Sequence, residues 1–558
     1  MLKRLGGHTL RCSAWRRLPV QGKFSARNIS IYSIPDVVAA STASPLGGLT
    51  IELDRIAPRF EVPASKILIL DSPGAFYETL KEKIRKAKKR IYLSTLYIGK
   101  SEFELVETLS QALRDNSDLK VSILTDALRG TREAPNPSCA SLLASLVAEH
   151  GSDRVEIRMF HTPNLAGFRK KLVPRRINEG WGLQHMKLYG IDDEIMLSGC
   201  EPPFLPNSKL HAFTATDEML RRANLSNDYF TNRLDRYHVF TSKELTEYYH
   251  RVHHAVSSLS FQVVLDPQSA LGYALVWPIS NGGPSPVEKP DDFISYASSV
   301  LDPLLRPPES KTLLPSKSSS QTFVYPVAQF TPVLTPDSST EFPAVTSILR
   351  LLSASPAIRN SRWLFTAGYF NIHPVLSSLL IRSTSTSATS SSSSSTTQGT
   401  VLTASPWANG FYGSPGVSGM LPAAYTYLSA RFLDRVAEAQ RTNAIQLKEW
   451  RRGTVGQPGG WTYHAKGLWI TLPNEEHPSL TFVGSSNYTK RSYSLDLEVG
   501  ALVVTSDEDL KRRLGQETEW LQKDAHVISR EDLRRTERRV GWNVRLAMWI
   551  VEMIGGAL

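Results

Sequence analysis

Cysteine is nearly missing: Cys12, Cys139 and Cys200 are the only three in 558 residues. A scattered, odd-numbered trio builds neither a disulfide framework nor a zinc cluster, and it suits a reducing compartment. No uninterrupted apolar run reaches the roughly 18 residues that a membrane-crossing helix needs. Acids are absent from the first 35 positions, which hold seven bases. The net charge is +11, so residues 36–558 keep only +4. That remainder is a weak footprint for nucleic acid, which needs clustered bases. The leader is basic and acid-free, carries Arg and Ser, and intersperses Leu, Trp and Phe. Residues 1–35 therefore read as a mitochondrial transit peptide. With 41% apolar and 21% charged residues, the rest has ordinary globular composition, which excludes disordered and collagenous classes.

What is present alternates. Lys66–Leu70 reads as a buried strand, and Asp71-Ser72-Pro73 supplies a cap candidate followed by proline, a helix-start signal. A helix over 74–89 puts Phe76, Leu80, Ile84 and Ala87 on one face. Its Lys- and Arg-rich end suits a solvated face and the helix dipole better than a nucleic-acid patch. Strand 91–97, helix 101–114, strand 119–125 and strand 154–160 follow. Such alternation predicts α/β units on a largely parallel sheet. Residues 36–280 form a first unit. Residues 281–320, rich in Pro, Ser and Lys, are expected to be a flexible linker. A second α/β unit spans 321–528, with a helix at 342–353, a strand at 363–367 and a helix at 374–381. Residues 383–400 are almost all Ser and Thr and are expected to be a disordered insertion.

Two short motifs carry chemistry. Gln184-His185-Met186-Lys187 is followed by Asp192, the apolar run Ile195-Met196-Leu197 and Ser198-Gly199. Tyr463-His464-Ala465-Lys466 is followed by Leu480 to Val483 and Gly484-Ser485-Ser486-Asn487. Each half thus repeats His-x-Lys, a strand and a glycine-containing polar turn. Alternate strand residues share a face, so each His and Lys project together. An imidazole beside a fixed cation suits phosphorus: one histidine attacks while lysine holds the phosphoryl oxygens. Two pairs supply a nucleophile and a general acid. Asp235 and Glu498, downstream of the two motifs, are candidates to orient the histidines through the second ring nitrogen. No metal-ligand cluster is apparent in the sequence.

This duplication resembles the phospholipase D superfamily. The runs Ala223 to Tyr237, Gly368-Tyr369-Phe370-Asn371, Ala408 to Ser414 and Tyr488 to Ser492 resemble, more narrowly, the eukaryotic mitochondrial family of CDP-diacylglycerol–glycerol-3-phosphate 3-phosphatidyltransferases. The resemblance spans about residues 60–270 and 321–525. It implies an α/β fold of two similar lobes, each a mixed sheet flanked by helices, with the active site at their interface. It implies transfer of a phosphatidyl group from CDP-diacylglycerol to sn-glycerol 3-phosphate through a phosphohistidine, with no cofactor or metal. By family analogy His185 is the nucleophile and His464 the acid, later the base; symmetry alone leaves that order open. Lys187 and Lys466 are implied to bind phosphoryl oxygens, helped by Asn224, Gly484, Ser485 and Asn487, with Asp192 completing the first motif.

The chain departs from the pattern twice. Thr471 stands where the second motif would carry aspartate. Residues 200–222 separate Gly199 from Ala223, which adjoin in the family. They are expected to be a retained intron or gene-model error, with a genuine surface loop as the alternative. At the other end, residues 529–558 read as an amphipathic helix. Six arginines lie between 530 and 545, Val540, Val544, Met548 and Val551 recur near helical spacing, and Trp542 and Trp549 accompany them. The helix suits either peripheral contact with an anionic membrane or docking on the second lobe. The competing functions are a hydrolytic phosphodiesterase of lipid or nucleic acid, with DNA disfavoured by the charge, and a non-catalytic membrane scaffold.

Overall fold

The computed structural model describes residues 45–99, 102–132, 138–173, 178–199, 232–307, 321–384 and 397–553. The leader 1–35, the whole 200–222 segment with its neighbour Asn224, and residues 385–396 of the Ser/Thr stretch lie outside the described residues.

The first helix shows how local chemistry sets the elements. Ser72 accepts from Ala75 N at 3.2 Å, Pro73 opens the helix Pro73–Lys86, and Phe76, Leu80 and Ile84 are buried. The cap satisfies an orphan donor, and proline is preorganised at the first position.

Two nine-stranded sheets follow the same plan. In the first the spatial order is Ile67–Leu70, Tyr237–Thr241, Glu194–Ser198, Leu188–Ile191, Arg90–Ser94, Lys120–Asp126, Val155–Phe160, Phe261–Leu265, Tyr273–Val276. In the second it is Phe60–Glu61, Thr322–Gln329, Glu498–Thr505, Leu480–Gly484, Gly467–Thr471, Arg362–Thr366, Gly399–Ala404, Ile445–Trp450, Ala525–Val527. In each lobe the three strands Arg90–Ser94, Lys120–Asp126, Val155–Phe160 or Arg362–Thr366, Gly399–Ala404, Ile445–Trp450 run parallel, and their neighbours are antiparallel. The register repeats too. Ser94 pairs with Leu188 and Thr366 with Gly467, each partner lying three residues beyond its motif histidine.

The sheets share a core. Ile195, Leu197 and Phe240 of the first meet Val499, Ala501 and Val503 of the second. Met196 and Leu502, one register away, face the cores outside. This period-two division lets each central strand bury both faces. At ~1.5–3 kcal/mol per buried aliphatic side chain, the shared layer fixes the lobes against each other.

Three boundaries differ from expectation. The first unit does not begin at 36: Leu49 and Leu53 of the helix Pro45–Asp54 join the second lobe's core, and Phe60–Glu61 is its edge strand. The expected linker 281–320 contains the helix Pro290–Leu305, whose Phe293, Ala297, Leu301 and Leu305 are buried. The prolines that read as a linker, such as Pro284, Pro286 and Pro307, flank this helix, and Pro290 opens it, where proline is preorganised. Four-residue apolar spacing then binds the helix to the shared core. Gly399 and Thr400, placed in the Ser/Thr insertion by composition, belong to the strand Gly399–Ala404.

Candidate active site

The two motifs meet where the lobes exchange short parallel pairings. Gln184 bridges to Leu497, and Thr462–Tyr463 pairs with Arg233–Leu234. His185 N donates to Leu497 O at 2.9 Å, and His464 N donates to Leu234 O at 2.9 Å. The next residue after each acceptor is an acid. Glu498 therefore reaches His185, Nδ1 to Oε2 at 2.7 Å, and Asp235 reaches His464, Nδ1 to Oδ2 at 3.0 Å. Both candidate acids orient histidines as the sequence suggested, but crosswise: each lobe's acid serves the other lobe's histidine.

Lys187 Nζ lies 3.1 Å from His185 Nε2, whereas Lys466 Nζ lies 2.9 Å from His464 Nδ1 and 3.4 Å from its Nε2. All four motif side chains are about 1% exposed. With Nδ1 donating to a carboxylate, each imidazole keeps Nε2 for chemistry. Lys466 also donates to the Gly199 carbonyl of the other lobe. At Gly199 a Cβ would meet Asp235 Oδ1 at 2.5 Å, so only glycine lets the chain pass that close.

Burial sets the charge states. It holds His464 well below the ordinary imidazole value, reinforced by Lys466 and Arg233. Burial pushes Glu498 up to about 7, opposed by Lys187 and by the Ser485 hydroxyl. Glu341, fully buried nearby, is pushed up to about 8 by burial and by the Glu498 charge.

Other expected site residues have different places. Asp192 is not at the reacting centre. It occupies the hairpin turn at φ 51°, accepting from Lys88 N and Lys89 N at 2.8 Å and Arg90 N at 3.1 Å. It holds the turn, and Thr471 at the equivalent position simply closes a strand against Arg362. Ser485 Oγ donates to Glu498 at 2.5 Å rather than facing open space. Gly484 is a close-packing position, where a Cβ would meet Gly500 Cα at 2.9 Å. Asn487 is buried beyond it, its N–H donating to Ser492 Oγ at 3.2 Å.

Sequence reasoning missed the buried network behind the site. Arg236 donates twice to Glu517 at 2.9 Å, and His238 and Trp469 join the same carboxylate at 2.9 and 3.0 Å. Its guanidinium lies 3.8 Å over the Trp469 ring. Adjacency to Asp235 was the available signal for Arg236. Tyr369, whose ring centroid is 5.1 Å from that of His464, lay in a quoted run but received no role. Among the described residues no His/Cys/Asp/Glu group has the arrangement of a metal site.

Comparison with known proteins places this geometry. A relative from Saccharomyces cerevisiae named CDP-diacylglycerol–glycerol-3-phosphate 3-phosphatidyltransferase is 42% identical over 535 residues, covering 93% of this chain and 95% of that protein. The chain belongs to this phosphatidyltransferase family. The Schizosaccharomyces pombe phosphatidyltransferase is 40% identical over 85% of the chain and 92% of its own length. The mouse phosphatidyltransferase, named as mitochondrial, is 31% identical over 89% of the chain and 85% of its own. No family model matches. A crystal structure of phosphatidylserine synthase from Haemophilus influenzae Rd KW20 aligns with TM-score 0.64 and 18% identity, over 91% of this chain and 97% of that one. The phosphatidyltransferase thus has a two-lobed fold already seen in a solved structure.

Proposed function

We infer that this chain transfers the phosphatidyl group of CDP-diacylglycerol to sn-glycerol 3-phosphate, yielding phosphatidylglycerophosphate and CMP, the step that commits lipid to phosphatidylglycerol and cardiolipin. The observation that carries the reading is the crossed pair of His–carboxylate dyads with two lysines, in a chain that spans nearly the whole length of its named relatives.

Two half-reactions suit the arrangement. His185 Nε2 bonds to the phosphorus that carries diacylglycerol, the phosphorus–oxygen bond to CMP breaks, and the leaving oxygen takes a proton from His464. The primary hydroxyl of the acceptor then gives its proton to His464 as its oxygen bonds to phosphorus and the phosphorus–nitrogen bond breaks. Lys187 and Lys466 hold the phosphoryl oxygens as charge develops. His464, neutral at rest by its burial, suits the base of the second half, and it must gain a proton before serving as acid in the first.

Mitochondrial residence, on the inner-membrane surface, fits the basic acid-free leader and the mitochondrial relatives. No described helix is long and apolar enough to cross a membrane. The helix Trp542–Met553 docks through Val544 and Met548 on the helix Leu421–Glu438, while Trp542, Leu546 and Trp549 are 77%, 46% and 57% exposed. The exposed side, flanked by arginines, suits an anionic bilayer.

The test is incubation of the purified protein with CDP-diacylglycerol and radiolabelled glycerol 3-phosphate, followed by a denaturing quench at neutral pH and mass spectrometry of active-site peptides. Labelled phosphatidylglycerophosphate, and a phosphatidyl adduct on His185 that His464→Ala allows to accumulate, support the reading. CMP release with no labelled lipid would make the chain a hydrolase, and an adduct on His464 would reverse the histidine roles.

A further inference from the structure

The two half-sites match in backbone but not in charge. Two residues before Asp235 stands Arg233; two residues before Glu498 stands Asp496. Both flank the interlobe pairings, and both are buried, at 5% and 3% exposure. Residues two apart on an extended strand share a face, so Arg233 lies on the side from which Asp235 reaches His464. The strand partner of Arg233 is Thr462, two residues before His464, so the pairing sets Arg233 beside the His464 strand. Asp496 instead accepts from Leu183 N at 2.9 Å and pairs with Arg491 at 3.0 Å. The repeated scaffold therefore does not require a cation at this position.

A second asymmetry lies beside it. Tyr97 and Tyr369 occupy equivalent positions, three residues beyond Ser94 and Thr366. Tyr97 has the Arg129 guanidinium 5.0 Å above its ring, and Glu179 holds that guanidinium at 3.3 Å. Tyr369 has Phe411 and Tyr425 at 5.3 and 5.7 Å instead. The strand pairing makes Trp407 the equivalent of Arg129. The cation of the first flank is thus part of the Arg129 side chain itself, whereas on the other flank Arg451 and Arg538 lie 4.3 and 5.0 Å over the Trp407 ring.

We propose that Arg233 binds the phosphate of the acceptor, a phosphate monoester. The acceptor has two ends. Its primary hydroxyl must reach phosphorus and give its proton to His464, while its own phosphate, three carbons away, passes through the reaction unchanged. Lys187 and Lys466 are committed to the phosphoryl group in transfer. Arg233 is a further cation within reach of His464, and its planar fork suits a dianionic phosphate. This inference rests on the phosphatidyl-transfer reading and adds the basis for choosing glycerol 3-phosphate over a neutral alcohol.

The experiment compares wild type, Arg233→Gln and Arg233→Lys on CDP-diacylglycerol in detergent micelles. Three rates are measured: transfer to glycerol 3-phosphate, transfer to glycerol, and exchange of labelled CMP into CDP-diacylglycerol. The exchange needs the phosphohistidine half-reaction but no acceptor. The expected result is a KM for glycerol 3-phosphate raised about 10- to 100-fold in Arg233→Gln, the range of a hydrogen bond to a charged group. Arg233→Lys should fall between, exchange should stay within about threefold, and the preference for glycerol 3-phosphate over glycerol should collapse. An unchanged KM, or exchange falling in parallel with transfer, overturns the proposal; the latter would assign Arg233 to the CDP-diacylglycerol side or to the fold. Wild type that transfers without exchanging CMP would instead count against the phosphohistidine, leaving the acceptor comparison standing.

Discussion

His185 and Glu498 are 313 residues apart in sequence and 2.7 Å apart in space, on different lobes. His464 and Asp235 repeat the relationship in the opposite direction at 3.0 Å. Each motif histidine takes its acid from the other lobe.

Removing an acid therefore impairs the histidine of the other lobe. Glu498→Gln and Asp235→Asn keep the shapes but lose the carboxylate that fixes the tautomer. Each is expected to lower kcat by on the order of 10²–10⁴, with an unchanged melting profile. The NMR signal of the His185 Nδ1 proton should shift in Glu498→Gln and not in Asp235→Asn. A response in the same-lobe histidine alone would contradict the crossing.

Activity is expected to fall as pH drops through about 7, where Glu498 gains a proton and stops accepting from His185 as a carboxylate. A kcat profile flat from pH 5.5 to 8 would rule this out.

Glu341 gives a stability signature of definite sign. Its folded value of about 8 lies above the ordinary 4.5, so the folded state binds the extra proton between them. Stability tied to this group is present below about pH 4.5 and declines as pH rises to about 8. Glu341→Gln should remove that decline, gaining at most roughly 5 kcal/mol over wild type above pH 8. Urea midpoints at pH 5 and 8.5 measure it, and an equal difference at both pH values would refute the linkage.

Arg236 and Glu517 form a buried ion pair between lobes. Removing one partner strands a buried charge, so Arg236→Met or Glu517→Gln should each cost about 3–5 kcal/mol. Replacing both should cost less than the sum, as denaturant titration will show.

Trp542→Ser, Leu546→Ser and Trp549→Ser together should weaken binding to anionic liposomes about tenfold or more. Val544 and Met548 remain docked, so the melting temperature should barely move. Unchanged sedimentation with liposomes would reject this surface.

Much of this was legible in the chain because it is local or duplicated. His-x-Lys with its downstream strand and polar turn occurs twice, and that repetition marked His185, Lys187, His464 and Lys466. Asp235 and Glu498 stood out by position, yet their partners did not, because pairing across lobes leaves no trace in local spacing. Asp192 belongs to the motif yet stands in the turn and not at the centre, because a motif records that residues recur together, not that they touch the same atom. Pro290–Leu305 hid behind its prolines, and composition averaged over 40 residues drowned a four-residue period. The Arg236–Glu517 contact joins positions 281 residues apart, and nothing local to either announces the other.

The crossing also orders events in time. A chain that has emerged only as far as residue 497 holds His185 and Lys187 but lacks the group that orients them. Competence thus arrives late, when the strand Glu498–Thr505 enters the second sheet and the lobes close. Until then a partly made chain lacks the means to act on an activated lipid.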